Sequence, residues 1–202
     1  MENKELIKKW NKYYNKNKTS VDWGFYKPDQ HVVDFLNYYD FTCNLKALDV
    51  GCGHGKNSYA FFEKGINYYG IDFAKEPIEY AYNNISSGKF IFGDILSINF
   101  NLKFDIIVDA GCFHVNEKQK GRKILKKYKE IIKSTGKIFI RVFKARKIIN
   151  HPLFYIDSEL PVWGYTYNEI YKILSQDFFI EKSIYDPFYY KEDEILYFYL
   201  SK

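Results

Sequence analysis

Apolar positions recur at helical spacing near the start of the chain, where Leu6, Ile7, Trp10, Tyr13 and Tyr14 predict a helix over residues 3–17. A second pattern, Val32, Val33, Phe35 and Leu36, follows Pro28-Asp29 and runs to about Tyr39. Proline or aspartate at that start suits a first helical turn. From Leu45 onward the period alternates. Apolar runs at 45–50, 67–71, 89–93, 104–108 and 136–143 predict strands, and amphipathic stretches at 57–64, 75–84 and 117–133 predict helices between them. Such alternation needs crossover connections, so the expected fold is α/β with a parallel sheet covered on both faces, a three-layer αβα arrangement. After a predicted helix at 166–175 the pattern changes again. Two β-rich runs, 178–184 and 194–200, lie about ten residues apart around Asp186-Pro187, a gap that suits a hairpin and excludes a crossover helix. The sheet should therefore be mostly parallel and end in an antiparallel C-terminal hairpin.

The chain has 202 residues, enough for one domain with a full core, and no repeat or low-complexity linker suggests a second. Residues 1–40 read as an N-terminal helical cap on that single domain. Residues 144–165 break the alternation as an irregular insertion carrying His151, Phe154, Tyr155, Trp163 and Tyr165. A loop of that length with that many aromatics reads as a lid or as a packed surface segment. Trp23, in the aromatic stretch 22–28, likewise reads as core or as a cover over a ligand.

Composition narrows the class. With 47% apolar and 20% aromatic residues, disorder is excluded. No apolar run approaches the roughly 18 residues of a membrane helix, and the first residues are too polar for a secretory signal, so a soluble cytoplasmic protein is expected. Cys43, Cys52 and Cys112 show no metal-ligand spacing, so reduced thiols and no metal are expected. The net charge of +5 has one dense run at 118–133, which reads as the solvated face of an amphipathic helix or as an RNA-binding patch.

The chemistry concentrates at Asp49-Val50-Gly51-Cys52-Gly53-His54-Gly55, where the first strand breaks into three alternate glycines. Without β-carbons the backbone can take positive φ and lie against a flat or charged ligand. Gly55 stands two residues after Gly53, not the three that a dinucleotide loop requires, and no Gly-Lys-Ser/Thr closes a phosphate-gripping loop. Ligands of open parallel sheets lie at the carboxyl ends of strands, so those ends are the places to look. The second strand ends at Asp72-Phe73, about twenty residues after Gly51, where a carboxylate can accept from ribose hydroxyls. The third ends at Gly93-Asp94-Ile95 and the fourth at Asp109-Ala110, with Phe113 and His114 beyond.

These four strand ends, in this order and spacing, resemble the class I S-adenosylmethionine (SAM) dependent methyltransferases. Among them the chain is most similar to the compact small-molecule enzymes of the tellurite-resistance and thiopurine type. A turn at 134–137 stands where the family usually has a Pro-Gly-Gly-like turn. The resemblance implies a Rossmann-like fold, SAM as cofactor and S-adenosylhomocysteine (SAH) as product. It implies that Gly51, Cys52, Gly53 and Gly55 approach the methionine and ribose, that Asp49 lies near the amino group, and that Trp23 covers the cofactor. It further implies that Asp72 holds the ribose, Phe73 flanks the adenine, Asp94 and Ile95 fix its edge, and Asp109 and Ala110 border the sulfonium.

The reaction implied is direct displacement, in which the protein contributes alignment and exclusion of water. His114 is the candidate base, with a packing role as its alternative, whereas His54 in the glycine loop is expected to be exposed. Phe113, His151, Trp163 and Tyr165 are the candidate substrate contacts for a small-molecule acceptor. A nucleic-acid methyltransferase is disfavoured: no Asn/Asp-Pro-Pro-aromatic motif follows strand four, and Cys112 follows glycine rather than proline. A non-catalytic SAM-binding protein is the remaining alternative. The sequence leaves the oligomeric state open.

Overall fold

A computed structural model describes residues 3–16, 27–190 and 193–202. The chain folds as two compact units, 1–99 and 100–202. The class is α/β, parallel through the middle of the sequence and antiparallel at its C-terminal strands.

In the first unit, helices α1 (Asn3–Lys16) and α2 (Gln30–Tyr38) precede strand β1 (Lys46–Val50). Asp29 caps α2, accepting from the His31 amide at 3.0 Å, as the proline-aspartate start suggested. Helix α3 (Ser58–Glu63), strand β2 (Asn67–Asp72), helix α4 (Lys75–Asn84) and strand β3 (Lys89–Phe92) follow. Strand β2 lies between the other two, and all three run parallel, with Val50 opposite Ile71 and Asp72 opposite Phe92. Their carboxyl ends therefore emerge side by side. Ala47, Leu48, Phe61 and Ile71 form the core here, each fully buried or nearly so, and each large side chain contributes about 1.5–3 kcal/mol by leaving water.

In the second unit, strand β4 (Phe104–Asp109) leads through a 3₁₀ turn (Phe113–Val115) to helix α5 (Lys118–Ile131) and strand β5 (Ile132–Lys144). Strands β4 and β5 are parallel. The expected turn at 134–137 proves to be part of β5: Phe104 faces Ile132 but Ile106 already faces Lys137, so the intervening residues bulge out of the pairing. A β-carbon on Gly136 would lie 2.5 Å from the Ile132 side chain and 3.1 Å from the Asp105 carbonyl, so only glycine lets the chain double back there.

The insertion at 144–165 is less irregular than its sequence suggested. Strands β6 (Phe154–Ile156) and β7 (Leu160–Val162) form a small antiparallel hairpin, and β8 (Gly164–Tyr165) pairs parallel with the end of β5. Asp157 and Ser158 turn that hairpin with φ of 50° and 59°. After helix α6 (Tyr167–Leu174), capped by the Thr166 hydroxyl, strands β9 (Phe179–Tyr190) and β10 (Asp193–Ser201) close the chain. Strand β10 runs antiparallel to both β5 and β9. The expected loop around Asp186-Pro187 is instead strand. Proline is tolerated because β9 ends the strand order of the described residues, where an edge needs no amide, and because the register shifts between Asp193 and Ile195.

Helix α5 buries Ile124, Leu125, Tyr128 and Ile131 as its pattern required. Some of its basic residues are engaged in ion pairs, while Arg122, Lys123 and Lys126 lie exposed on its solvent face. Lys118 pairs with Glu169 at 2.8 Å, Lys129 with Asp177 at 2.9 Å, and Lys133, just beyond, with Asp105 at 2.7 Å.

Candidate active site

In the first unit the glycine loop grows directly from β1 and is tied to its neighbour. The amides of Gly51 and Cys52 both donate to the Ile71 carbonyl, at 2.8 and 3.1 Å, and the Gly93 amide donates to the Asp72 carbonyl at 2.9 Å. All three loop glycines have positive φ, 71°, 53° and 78° for Gly51, Gly53 and Gly55. They face different ways. A β-carbon on Gly53 would lie 3.1 Å from the Tyr14 hydroxyl, and one on Gly55 would lie 2.7 Å from the Phe90 ring and 2.8 Å from Ile85. Gly55 is therefore required for packing as well as for its turn. Gly55→Ala should cost about 2–5 kcal/mol, the sum of left-handed strain and overpacking, read as a lowered chemical-denaturation midpoint. An unchanged midpoint would refute the reading.

Asp49 lies buried beneath the loop, accepting from the Tyr68 hydroxyl at 2.9 Å and the Asn57 side-chain amide at 3.3 Å. Asn57 in turn accepts from the Asp29 amide at 3.0 Å, so one side chain links the glycine-loop aspartate to the cap of α2. Asp72 is also buried; its two oxygens accept separately from the Gly53 amide at 3.0 Å and the Ala74 amide at 2.8 Å. Burial outweighs these bonds and pushes its carboxyl up from 3.8 to about 6. Phe73 is half-buried beside it. Asp94 closes the next strand end, accepting from the Leu96 amide at 3.0 Å, with Ile95 buried behind. Cys52 is a buried thiol, pushed well up by desolvation.

The sequence reading missed what α1 does. Tyr14 and His54 pack ring to ring at 5.1 Å, and Tyr80 closes the other side at 4.9 Å. His54 is thus buried rather than exposed, which lowers it from 6.5 to about 4 and keeps it neutral at pH 7, 3.6 Å from Glu76. Helix α4 has no side-chain cap of its own. Asn11 supplies one from α1, its side-chain oxygen accepting from the Lys75 and Glu76 amides at 2.9 and 3.4 Å. Asn11→Ala should cost about 1 kcal/mol, the ordinary worth of a cap, and loosen α1 over the loop. Faster amide exchange at Lys75 and Glu76 is the measurement, and unaltered exchange there would contradict it. Trp23, the expected cover, lies outside the described residues.

In the second unit, Asp109 ends β4 fully buried. One oxygen accepts from the Cys112 and Phe113 amides, at 2.8 and 2.9 Å, and the other from the Tyr128 hydroxyl at 2.6 Å. Desolvation still pushes it up from 3.8 to about 6. Ala110, Phe113 and His114 are buried next to it in sequence. His114 donates from Nδ1 to the Arg141 carbonyl at 3.2 Å, and burial, with the Arg141 charge, lowers it to about 3. The Trp163 amide donates to the His114 carbonyl at 2.6 Å, and the Tyr165 ring meets Phe113 at 5.5 Å. Four of the residues singled out in this unit, Phe113, His114, Trp163 and Tyr165, are thus brought together. His151 is not: it is exposed, with Nδ1 2.9 Å from the Pro152 carbonyl.

Comparison with known proteins agrees with this arrangement. A family model described as a methyltransferase domain matches residues 42–189. A protein of Invertebrate iridescent virus 6 named as a methyltransferase is 32% identical over 81 residues, 39% of this chain and 31% of its own, so the match spans about a third of that relative's length. In fold, the chain resembles a Burkholderia thailandensis 1,6-didemethyltoxoflavin-N1-methyltransferase, solved with 1,6-didemethyltoxoflavin and SAH, at a TM-score of 0.81 and 17% identity over 98% of this chain and 87% of that one. It also resembles a TehB-like SAM-dependent methyltransferase from Corynebacterium glutamicum, TM-score 0.66 and 17% identity, over 99% of this chain and 100% of that one. With its glycine loop, its carboxylates at successive strand ends and a family match through both units, the chain belongs to the methyltransferase-domain family of class I, SAM-dependent enzymes.

Proposed function

We propose that the chain transfers a methyl group from SAM to a small-molecule acceptor by direct displacement. The observation that carries this is the pairing of the Gly53 amide with an Asp72 oxygen at 3.0 Å. A phosphate-binding loop leaves its amides for the anion, whereas here a carboxylate already holds one and sets negative charge beside the loop. Such a floor suits hydroxyls and an ammonium group. An ionised carboxylate has about four acceptor positions, so after the Gly53 and Ala74 amides Asp72 keeps room for a ribose diol.

In this reading Asp49, Gly51, Cys52, Gly53, Gly55, Asp72, Phe73, Asp94 and Ile95 hold the cofactor. The roles of Asp109, Ala110 and Trp23 rest on the sequence pattern alone. Bound SAM supplies an activated sulfonium methyl, and SAH is left after transfer. The protein's own part is alignment and exclusion of water. His114, neutral and lowered to about 3, is a weak proton acceptor near pH 7, so the acceptor that suits this chain has a nucleophile already free of its proton. The Burkholderia neighbour holds 1,6-didemethyltoxoflavin together with SAH, which supports a small-molecule acceptor, with Phe113, Trp163 and Tyr165 as contacts and His151 at the rim of the 144–165 lid. The family match, continuous over 42–189, supports reading the chain as one catalytic domain, and the helical cap at 1–40 rests on the sequence pattern. No described helix is long and apolar enough to cross a membrane, and all three cysteines are thiols, which supports a cytoplasmic setting.

Calorimetric titration with SAH tests the cofactor half. Release of SAH from SAM, across a panel of small thiols, amines and phenols, tests the transfer. Absence of heat with SAH would end the proposal.

A further inference from the structure

At the carboxyl end of β5 the second unit holds a cleft of about 350 Å³, large enough for a small organic molecule. One side is apolar: Phe143 and Phe154 meet edge to face at 5.1 Å, with Leu153 beside them. The same Phe143 ring packs on His114 at 4.8 Å, so the cleft shares a wall with the cluster described above.

Its other side is charged, and the charges do not cancel. Glu194 is the carboxylate of the lining and is engaged, bonded by Lys144 and by the Tyr185 hydroxyl at 2.8 Å. Arg146 and Lys147 are exposed and line the same cleft; the Arg146 charge helps hold the Glu194 carboxyl low, but neither cation makes a salt bridge among the described residues. The lining therefore carries two cations in excess beside an aromatic wall. Two positive charges in so small a space cannot track a polyanion, but they match one anionic group on an apolar body.

We propose that the methyl acceptor is a small amphipathic anion, an apolar body bearing one carboxylate, sulfonate or phosphate, read in this cleft by Arg146 and Lys147. Only the word acceptor rests on the methyl-transfer reading; the anion site stands on the cleft itself.

The test uses two fluorescent probes with the same ring body, 8-anilinonaphthalene-1-sulfonate and the uncharged N-phenyl-1-naphthylamine, titrated into the full chain, with SAH calorimetry on the same preparations. The sulfonate should bind one to one and about tenfold tighter than the amine, and raised salt should weaken only the sulfonate. The double variant R146E/K147E, both sites exposed, should lose that tenfold preference and keep its melting temperature. Phe154→Ala should weaken both probes together. Equal binding of the two probes, no binding of either, a preference that survives the charge reversal, or indifference of both probes to Phe154→Ala would overturn the proposal. Loss of SAH heat in the wild-type chain would overturn the methyl-transfer reading instead, and leave the probe result standing.

Discussion

Asp72→Ala is expected to weaken SAH binding about a hundredfold, measured by calorimetry. Two ribose hydroxyls bonded to a charged acceptor are worth about 1.5 kcal/mol each, about 3 kcal/mol together, and every 1.4 kcal/mol is tenfold. The substitution also removes the acceptor for the Gly53 and Ala74 amides, so the loop loses its fixed shape. A pH titration separates the two effects. Ribose hydroxyls donate to the ionised form, so affinity should fall as pH drops through about 6, where the buried carboxyl takes up its proton. In Asp72→Asn no such proton exists, and the weakened affinity should be flat between pH 5 and 8. Equal pH dependence in the wild type and in Asp72→Asn would remove Asp72 from the site.

Asp109 should give the largest contrast in stability between two substitutions at one position. Asp109→Ala leaves the Cys112 and Phe113 amides and the Tyr128 hydroxyl buried without their acceptor, a loss of about 4 kcal/mol. Asp109→Asn keeps one oxygen for both amides and offers its NH₂ to the Tyr128 oxygen, reversing that bond, so it retains most of the network and discards the buried charge. The sign follows from the raised carboxyl. Folding favours the protonated acid, so its stabilisation is complete below 3.8 and is lost as pH rises through about 6. The rise from 3.8 to about 6 corresponds to about 3 kcal/mol. At pH 7 Asp109→Asn should therefore be between unchanged and about 3 kcal/mol more stable than wild type, with a flatter pH profile. Denaturant melts at pH 4.5 and pH 7 check both variants. Matching losses for Asn and Ala would show that the charge, not the hydrogen-bond geometry, holds the turn.

The strand ends were legible because their pattern is local. A buried parallel strand reads as a short apolar run, and Gly51, Asp72 and Gly93 punctuate those runs where the chain must turn. Contacts between residues distant in sequence were not. His54 looked polar and exposed, and only the approach of Tyr14 from α1 and Tyr80 from α4 buries it. Asn11 capping α4, and Asn57 joining Asp29 to Asp49, leave no periodic trace, because one amide side chain is enough for each. The turn expected at 134–137 was misplaced for a related reason. Gly136 does mark a break, but β4 pairs on both sides of it, so a bulge rather than a strand boundary results. Pro187 gave a false stop, since a proline forbids only a central strand.

That proline has a further consequence. Among the described residues strand β9 is the last in its order, so its outer row of peptide groups would be open to an extended segment from another molecule. Phe179 and Tyr185 stand exposed along it and would make such recruitment adhesive. Pro187 offers no amide in the last third of this strand and so would interrupt an intermolecular ladder there. The residue that misled the strand assignment thus serves as a gatekeeper against fibrous self-association, and a chain engineered without it would be expected to lose solubility before it lost its fold.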